Sequence, residues 1–162
     1  MNFVIAIALF LVLHPVSALS DPVAQPASSF SLKDLSGRTV TLADFRGKVV
    51  FLDFWAAWCR SCREELVDLD RMYTHYGDQG FIVIGISVED SPARVAAFLR
   101  KTPVAFPMLL DGNGVVADAY RFSGLPSGFL IDRNGDIRGR FRGIAGNALP
   151  QFEKEIAELL KQ

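Results

Sequence analysis

The sequence predicts an α/β fold in which helices sandwich a mixed sheet. Three observations point there. Two apolar runs of strand length, Val49 to Phe54 and Phe81 to Ile86, show almost no polar alternation, as strands covered on both faces require. Between them, Cys59 to about Tyr76 places Leu66, Leu69, Met72, Tyr73 and Tyr76 on one helical stripe. A hairpin and an amphipathic helix then close a pattern in which strands and helices alternate.

The elements can be justified in order. Phe30-Ser31-Leu32 and Thr39-Val40-Thr41-Leu42 alternate apolar and polar residues around a turn at Asp34 to Gly37, which predicts a hairpin. Gly47 precedes the first buried strand, and Gly77 and Gly80 stop the long helix. Ser91-Pro92 is an N-cap followed by proline at the first helical position, so a short helix is expected over Pro92 to Arg100. Pro103 to Pro107 breaks it. Met108 to Leu110 reads as a short strand, Asp111 to Gly114 as a turn and Val115 to Tyr120 as a short helix. Gly128 to Ile131 is a strand that Asp132-Arg133-Asn134-Gly135 turns back into Ile137 to Arg142. Leu149, Phe152, Ile156, Leu159 and Leu160 predict a last amphipathic helix.

The chain has 162 residues, 17 of them Lys or Arg and 18 Asp or Glu, with a net charge of −1. The two signs are interspersed, which argues against a nucleic-acid partner. Phe3 to Leu13 is unbroken apolar sequence, and Val16-Ser17-Ala18 offers small residues for cleavage after Ala18. Residues 1–18 are therefore expected to be a secretory signal, since a membrane span needs about 20 apolar residues. No Lys or Arg precedes the apolar run, which leaves an uncleaved anchor as the alternative. Residues 19–29, with Pro22 and Pro26, read as a flexible leader, and residues 30–162 as one domain. The expected location is periplasmic or otherwise extracytoplasmic, membrane-anchored if the first segment is retained.

Two cysteines, Cys59 and Cys62, stand at i and i+3 where the first buried strand gives way to the long helix. So small a ring removes little unfolded-chain entropy, which disfavours a structural staple. Thiols at a helix N-terminus, where free N–H groups favour an anion, suit thiol–disulfide exchange. Cys59 is expected to attack and Cys62, a helical turn further in, to resolve. Two carboxylates are candidate proton acceptors for Cys62: Asp53, which alternates with Val49 and Phe51 in the apolar strand, and Glu65, three residues on along the same helix face. Metal capture is the competing reading, but two thiolates are half of zinc's usual set, and neither His14 nor His75 completes it. Asp111 to Gly114 and Asp132 to Asp136 superficially suggest calcium loops; their twelfth positions fall on Phe122 and Gly143, so both are read as turns. Arg138, Arg140 and Arg142 alternate on one strand face, which is read as protection of a sheet edge, with an acidic partner or a lipid surface as the alternative.

At these residues the chain resembles the thioredoxin superfamily, and within it the exported TlpA/ResA branch that includes cytochrome c maturation thioredoxins. Three segments in order carry the resemblance, which spans about Ser28 to Leu160. They are the hairpin with Gly47-Lys48-Val49-Val50, the stretch Asp53-Phe54-Trp55-Ala56-Ala57-Trp58-Cys59-Arg60-Ser61-Cys62-Arg63-Glu64-Glu65, and Gly124-Leu125-Pro126-Ser127-Gly128-Phe129-Leu130-Ile131-Asp132. Val88 to Pro107 resembles the branch's extra helix. Ser61 departs from the proline of plain thioredoxins, Ser127-Gly128 from the branch's threonine, and Val67 from a proline often seen after the motif.

The resemblance implies a redox-active Cys59–Cys62 disulfide and a cis peptide at Pro126 lying against it. It also implies that the Leu125 backbone pairs with the substrate chain, that Trp58 covers the disulfide, and that Trp55 belongs to the core. It implies a thiol–disulfide oxidoreductase that reduces disulfides in extracytoplasmic proteins, apocytochrome c among them. A membrane thiol donor would recharge it. Protein disulfides and dithiols are the expected substrates; no cofactor, metal or nucleic acid enters, and a monomer is expected. A disulfide-forming oxidant on the same fold is the first alternative, and a thiol-based metallochaperone or binding module the second. A peroxidase is disfavoured, because Trp55 and Ala56 lead into Cys59 where the peroxiredoxin-like branch needs Pro-x-x-x-Thr-x-x-Cys.

Overall fold

The computed structural model describes residues 25–89 and 91–162; the expected signal segment and residues 19–24 of the leader lie outside the described residues. In chain order the elements are β1 (Gln25–Pro26), β2 (Ser31–Asp34), β3 (Thr39–Thr41), β4 (Val49–Trp55), α1 (Arg60–Tyr76), β5 (Phe81–Ser87), α2 (Pro92–Leu99), β6 (Met108–Leu110), α3 (Val115–Tyr120), β7 (Ser127–Ile131), β8 (Asp136–Phe141) and α4 (Leu149–Leu160). The strands form one sheet in the order β1-β8-β7-β4-β5-β6-β2-β3. β4 runs parallel to β5, and β5 to β6. The other neighbours are antiparallel, so the sheet is mixed.

Every residue of β4 is buried. Its alternation divides two cores. Val49, Phe51 and Trp55 pack with Leu66 and Leu69 of α1, Val95 and Phe98 of α2, and Phe152 and Ile156 of α4. Val50, Leu52 and Phe54 pack on the opposite face with Val116 and Tyr120 of α3 and with Phe30 and Val40. Asp53 falls between Phe51 and Trp55 in this alternation, so it points toward the α1 side. Among the described residues no helix is long and apolar enough to cross a membrane.

The sheet reaches into the expected leader. Gln25 and Pro26 pair with Ile137 and Asp136 of β8, so these two leader residues belong to the sheet. The long helix does not stop cleanly at Gly77: a turn of 3₁₀ helix continues over Gly77–Gln79, and Gly80 ends it with φ 98°. In the two loops that resemble calcium sites, the first carboxylate folds its own turn. Asp111 accepts the N–H groups of Val116 (3.2 Å) and Ala117 (2.8 Å), capping α3. Asp132 accepts those of Asn134 (2.9 Å) and Asp136 (3.0 Å).

The departure at Gly128 has a packing cause. Gly128 pairs with Asp53 across the β4–β7 ladder, and the buried Phe51 ring lies where a Cβ on Gly128 would stand. That ring is also held between Phe141 and Phe152. Gly128→Ala is therefore expected to lower unfolding stability by about 1–3 kcal/mol through overpacking. Urea denaturation of the oxidised protein reads this as a lower midpoint at unchanged slope. Wild-type stability in the variant would mean that the Phe51 ring is not fixed there.

Candidate active site

After β4 the chain turns through Ala56, Ala57 and Trp58, and the Cys59 N–H closes this turn on the Ala56 carbonyl at 3.0 Å. Cys59 is the N-cap of α1, with extended backbone (φ −80°, ψ 108°). Its sulfur takes the place of the usual capping oxygen and accepts the Cys62 N–H at 3.2 Å. The Ser61 hydroxyl lies 3.6 Å from the same sulfur. Cys59 and Cys62 form a disulfide with an S–S distance of 2.02 Å. Cys59 keeps 7% of its surface exposed and Cys62 none, so a partner reaches only the first sulfur.

Cys59 opens onto a groove of about 470 Å³ lined by Trp58, Arg60, Ser61, Glu64 and Leu125. Trp58 is 69% exposed at its side. Trp55 is wholly buried against Phe98, with ring centroids 5.0 Å apart. The Leu125–Pro126 peptide is cis, and Leu125 lines the groove with Cys59.

Asp53 of β4 and Glu65 of α1, three residues after Cys62, are both buried and lie near each other. Glu65 Oε2 accepts the Ile144 N–H at 3.3 Å, while its Oε1 and both Asp53 oxygens have no hydrogen-bond partner. The loop after β8 makes this bond possible. Gly143 has φ 87°, and a Cβ there would stand 3.3 Å from Glu65 Oε2 and 3.5 Å from Pro126 Cγ. The backbone thus passes between the acid and the cis proline. The sequence reading did not find Gly143 or Ile144, since a main-chain donor 79 residues from its acceptor leaves no local pattern. The structure places the seven candidate residues as follows: Cys59, Trp58 and Leu125 line the groove, Cys62 and the two acids are buried, and Pro126 and Glu65 flank Gly143. Among the described residues no three His, Cys, Asp or Glu side chains come together as a metal site.

The AhpC/TSA family matches residues 23–140. The chain is 37% identical over 139 residues to the thiol-disulfide oxidoreductase ResA of Geobacillus thermodenitrificans, covering 86% of this chain and 78% of that one. It is 38% identical over 111 residues to ResA of Bacillus subtilis, covering 68% and 62%. Among solved structures it is similar to a Chlorobium tepidum protein described as a thiol:disulfide interchange protein DsbE, with a TM-score of 0.82, 32% identity and coverage of 85% and 96%. The thioredoxin domain of a Bacteroides vulgatus thiol-disulfide oxidoreductase gives 0.74, 29%, 85% and 99%.

Burial dominates the charge state of the two acids. It holds the Asp53 carboxyl well above the usual carboxylate range, and the neighbouring Glu65 pushes it in the same direction. Burial raises Glu65 to about 7; the Ile144 N–H opposes the rise and Asp68 adds to it. The folded chain therefore keeps a proton on Glu65 that the unfolded chain releases near pH 4.5. Stability from this group is complete below that pH, is lost as pH rises to about 7, and is level above it. The loss is ~3 kcal/mol for a rise of this size. Glu65→Gln keeps an acceptor for Ile144 but cannot ionise. Relative to wild type it is expected to gain about that much stability between pH 4.5 and pH 8, measured by denaturant titration at both. A difference that does not change with pH would show that Glu65 ionises normally.

Proposed function

The chain belongs to the AhpC/TSA family, among its ResA-type thiol–disulfide oxidoreductases, and from that footing we propose that it works outside the cytoplasm as a reductant of protein disulfides. Apocytochrome c is the substrate we infer from the resemblance, and a membrane thiol donor the source of electrons. The signal-like first 18 residues support the location. One contrast carries the reading: Cys59 is open to a groove, whereas Cys62 is fully buried, three residues before the buried Glu65 on the same helix.

The thiolate of reduced Cys59 attacks one sulfur of the partner's disulfide. That S–S bond breaks, the departing sulfur takes up a proton, and a mixed disulfide joins the two chains. The partner lies along Leu125 as a short added strand. Cys62 then gives its proton to Glu65 or Asp53 and attacks Cys59 Sγ. The partner leaves with both sulfurs reduced, and the two electrons have come from the Cys59–Cys62 pair. A carboxylate that titrates near 7 can take a proton from a thiol at working pH and return it on recharging.

One observation favours the opposite direction of flow. The Cys62 N–H and the Ser61 hydroxyl both meet the Cys59 sulfur, and donors there stabilise the thiolate and so the reduced form. The midpoint potential of the pair decides between the two directions. A value near −270 mV, about that of thioredoxin, supports the reductant, and one near about −120 mV supports an oxidant. In either direction Cys59→Ser is expected to abolish reduction of insulin disulfides. Cys62→Ser is expected to retain attack and accumulate the mixed disulfide, seen as a band on non-reducing gels. If Cys59→Ser reduced insulin as wild type does, exchange at this pair would be excluded.

A further inference from the structure

A second cavity, of about 190 Å³, lies beside Phe129 on the α3 side of the sheet. Arg121, Arg140 and Arg142 line it together with Ser127 and Phe129, and no acidic residue does. Two of the three arginines come from the end of β8, and the third from the end of α3. Arg121 follows α3 and holds φ 49°, a left-handed conformation unusual for a residue with a side chain. Arg140 is fixed by its neighbours: it donates to Gln25 Oε1 (2.8 Å) and to the Tyr120 carbonyl (3.4 Å), and stacks 5.1 Å over the Phe129 ring. Phe141 pairs with Gly128, which brings Arg142 level with Ser127. Among the described residues none of the three forms an ion pair, although Arg138 on the same strand meets Asp132. A sheet edge needs charge to resist pairing, but it does not need three cations converging on one hollow.

The hollow and the cysteine groove are neighbours along the chain. Leu125 lines the groove and Ser127 lines the hollow, so they are two residues, at most about 7 Å of chain, apart. We propose that this arginine cavity is a specificity subsite that seats an Asp or Glu side chain of the protein substrate, two or three residues from the cysteine that Cys59 attacks. The proposal rests on the reading that the partner is a protein chain lying along Leu125. Guanidinium forks suit carboxylates, and the immobilised Arg140 lets the site receive one with little further ordering. Arg121 and Arg142 add two further cations to its lining.

The test uses three disulfide-containing peptides that differ only two and three residues from the attacked cysteine, where they carry Glu, Gln or Lys. The second-order rate of reduction by the dithiol protein is measured for each. In wild type the Glu peptide is expected to react roughly fivefold to tenfold faster than the Gln peptide, as two exposed ion pairs allow, with the Lys peptide slowest. The preference should shrink with added salt. Arg121→Gln/Arg140→Gln/Arg142→Gln should bring the three rates together, and Arg121→Glu/Arg142→Glu should favour the Lys peptide, which an unfolded variant cannot do. Equal wild-type rates, or a Glu preference that survives in both variants, would overturn the subsite alone. Failure to reduce any of the three would overturn the proposed function with it. Equal peptide rates combined with arginine-dependent binding to phosphatidylglycerol vesicles would reassign the cavity to lipid headgroups.

Discussion

The structure depends on β4 being buried on both faces. Seven consecutive buried residues must pair their main-chain groups, and β4 lies between β5, which pairs along its whole length, and β7, which pairs with Val50 to Phe54. Such a strand cannot shift by one residue without exchanging its two cores. The pinned register puts Asp53 on the α1 side. It ends the strand at Trp55, whose ring is anchored in the same core, and so sets where the chain turns into Cys59. The redox pair is thus held by a packed strand behind it and a helix ahead of it.

The sequence disclosed those parts that depend on periodicity or on a contiguous motif. Uninterrupted apolar runs marked β4 and β5, a 3.6-residue stripe marked α1, and Ser91-Pro92 marked the start of α2, whose cap the structure shows as an Arg94 N–H bonded to Ser91 Oγ at 3.4 Å. The cysteines, the acids and Leu125-Pro126 were legible because each belongs to a short segment with its own chemistry. What stayed hidden was tertiary. Two residues of β1 carry too little pattern to announce a strand. The Ile144 donor to Glu65 is a main-chain group, which any residue but proline supplies. Arg121 meets Arg140 and Arg142 only because α3 ends beside β8. Alternation alone placed the last two on one face and left their surroundings open.

Gly128 and Gly143 show the same constraint from two directions. Each is the smallest residue at a point where the site needs room. Gly128 admits the Phe51 ring beside the Asp53 pairing position, and Gly143 admits the backbone between Pro126 and Glu65. Both keep apolar or main-chain groups close to the carboxylates and keep water away. That exclusion raises the acids' affinity for protons.

The electrostatics then separate the two sulfurs. Cys59 sits at the positive end of α1 with two donors at its sulfur, so charge on it is favoured before any partner arrives. The helix end alone contributes up to ~2 kcal/mol in a sheltered position, a little over one unit of acid strength, and the donors add to it. Cys62 is sealed in the core on the same helix as Glu65, which holds its proton until the pH nears 7, while burial holds the Asp53 carboxyl well above the usual carboxylate range. Ionising it while both acids are charged would set like charges against one another in a poorly screened interior. At least one acid must therefore still be able to accept the proton as Cys62 acts. In the proposed cycle this orders the events: the exposed sulfur is the anion first, and the buried one becomes an anion only when a mixed disulfide awaits its attack.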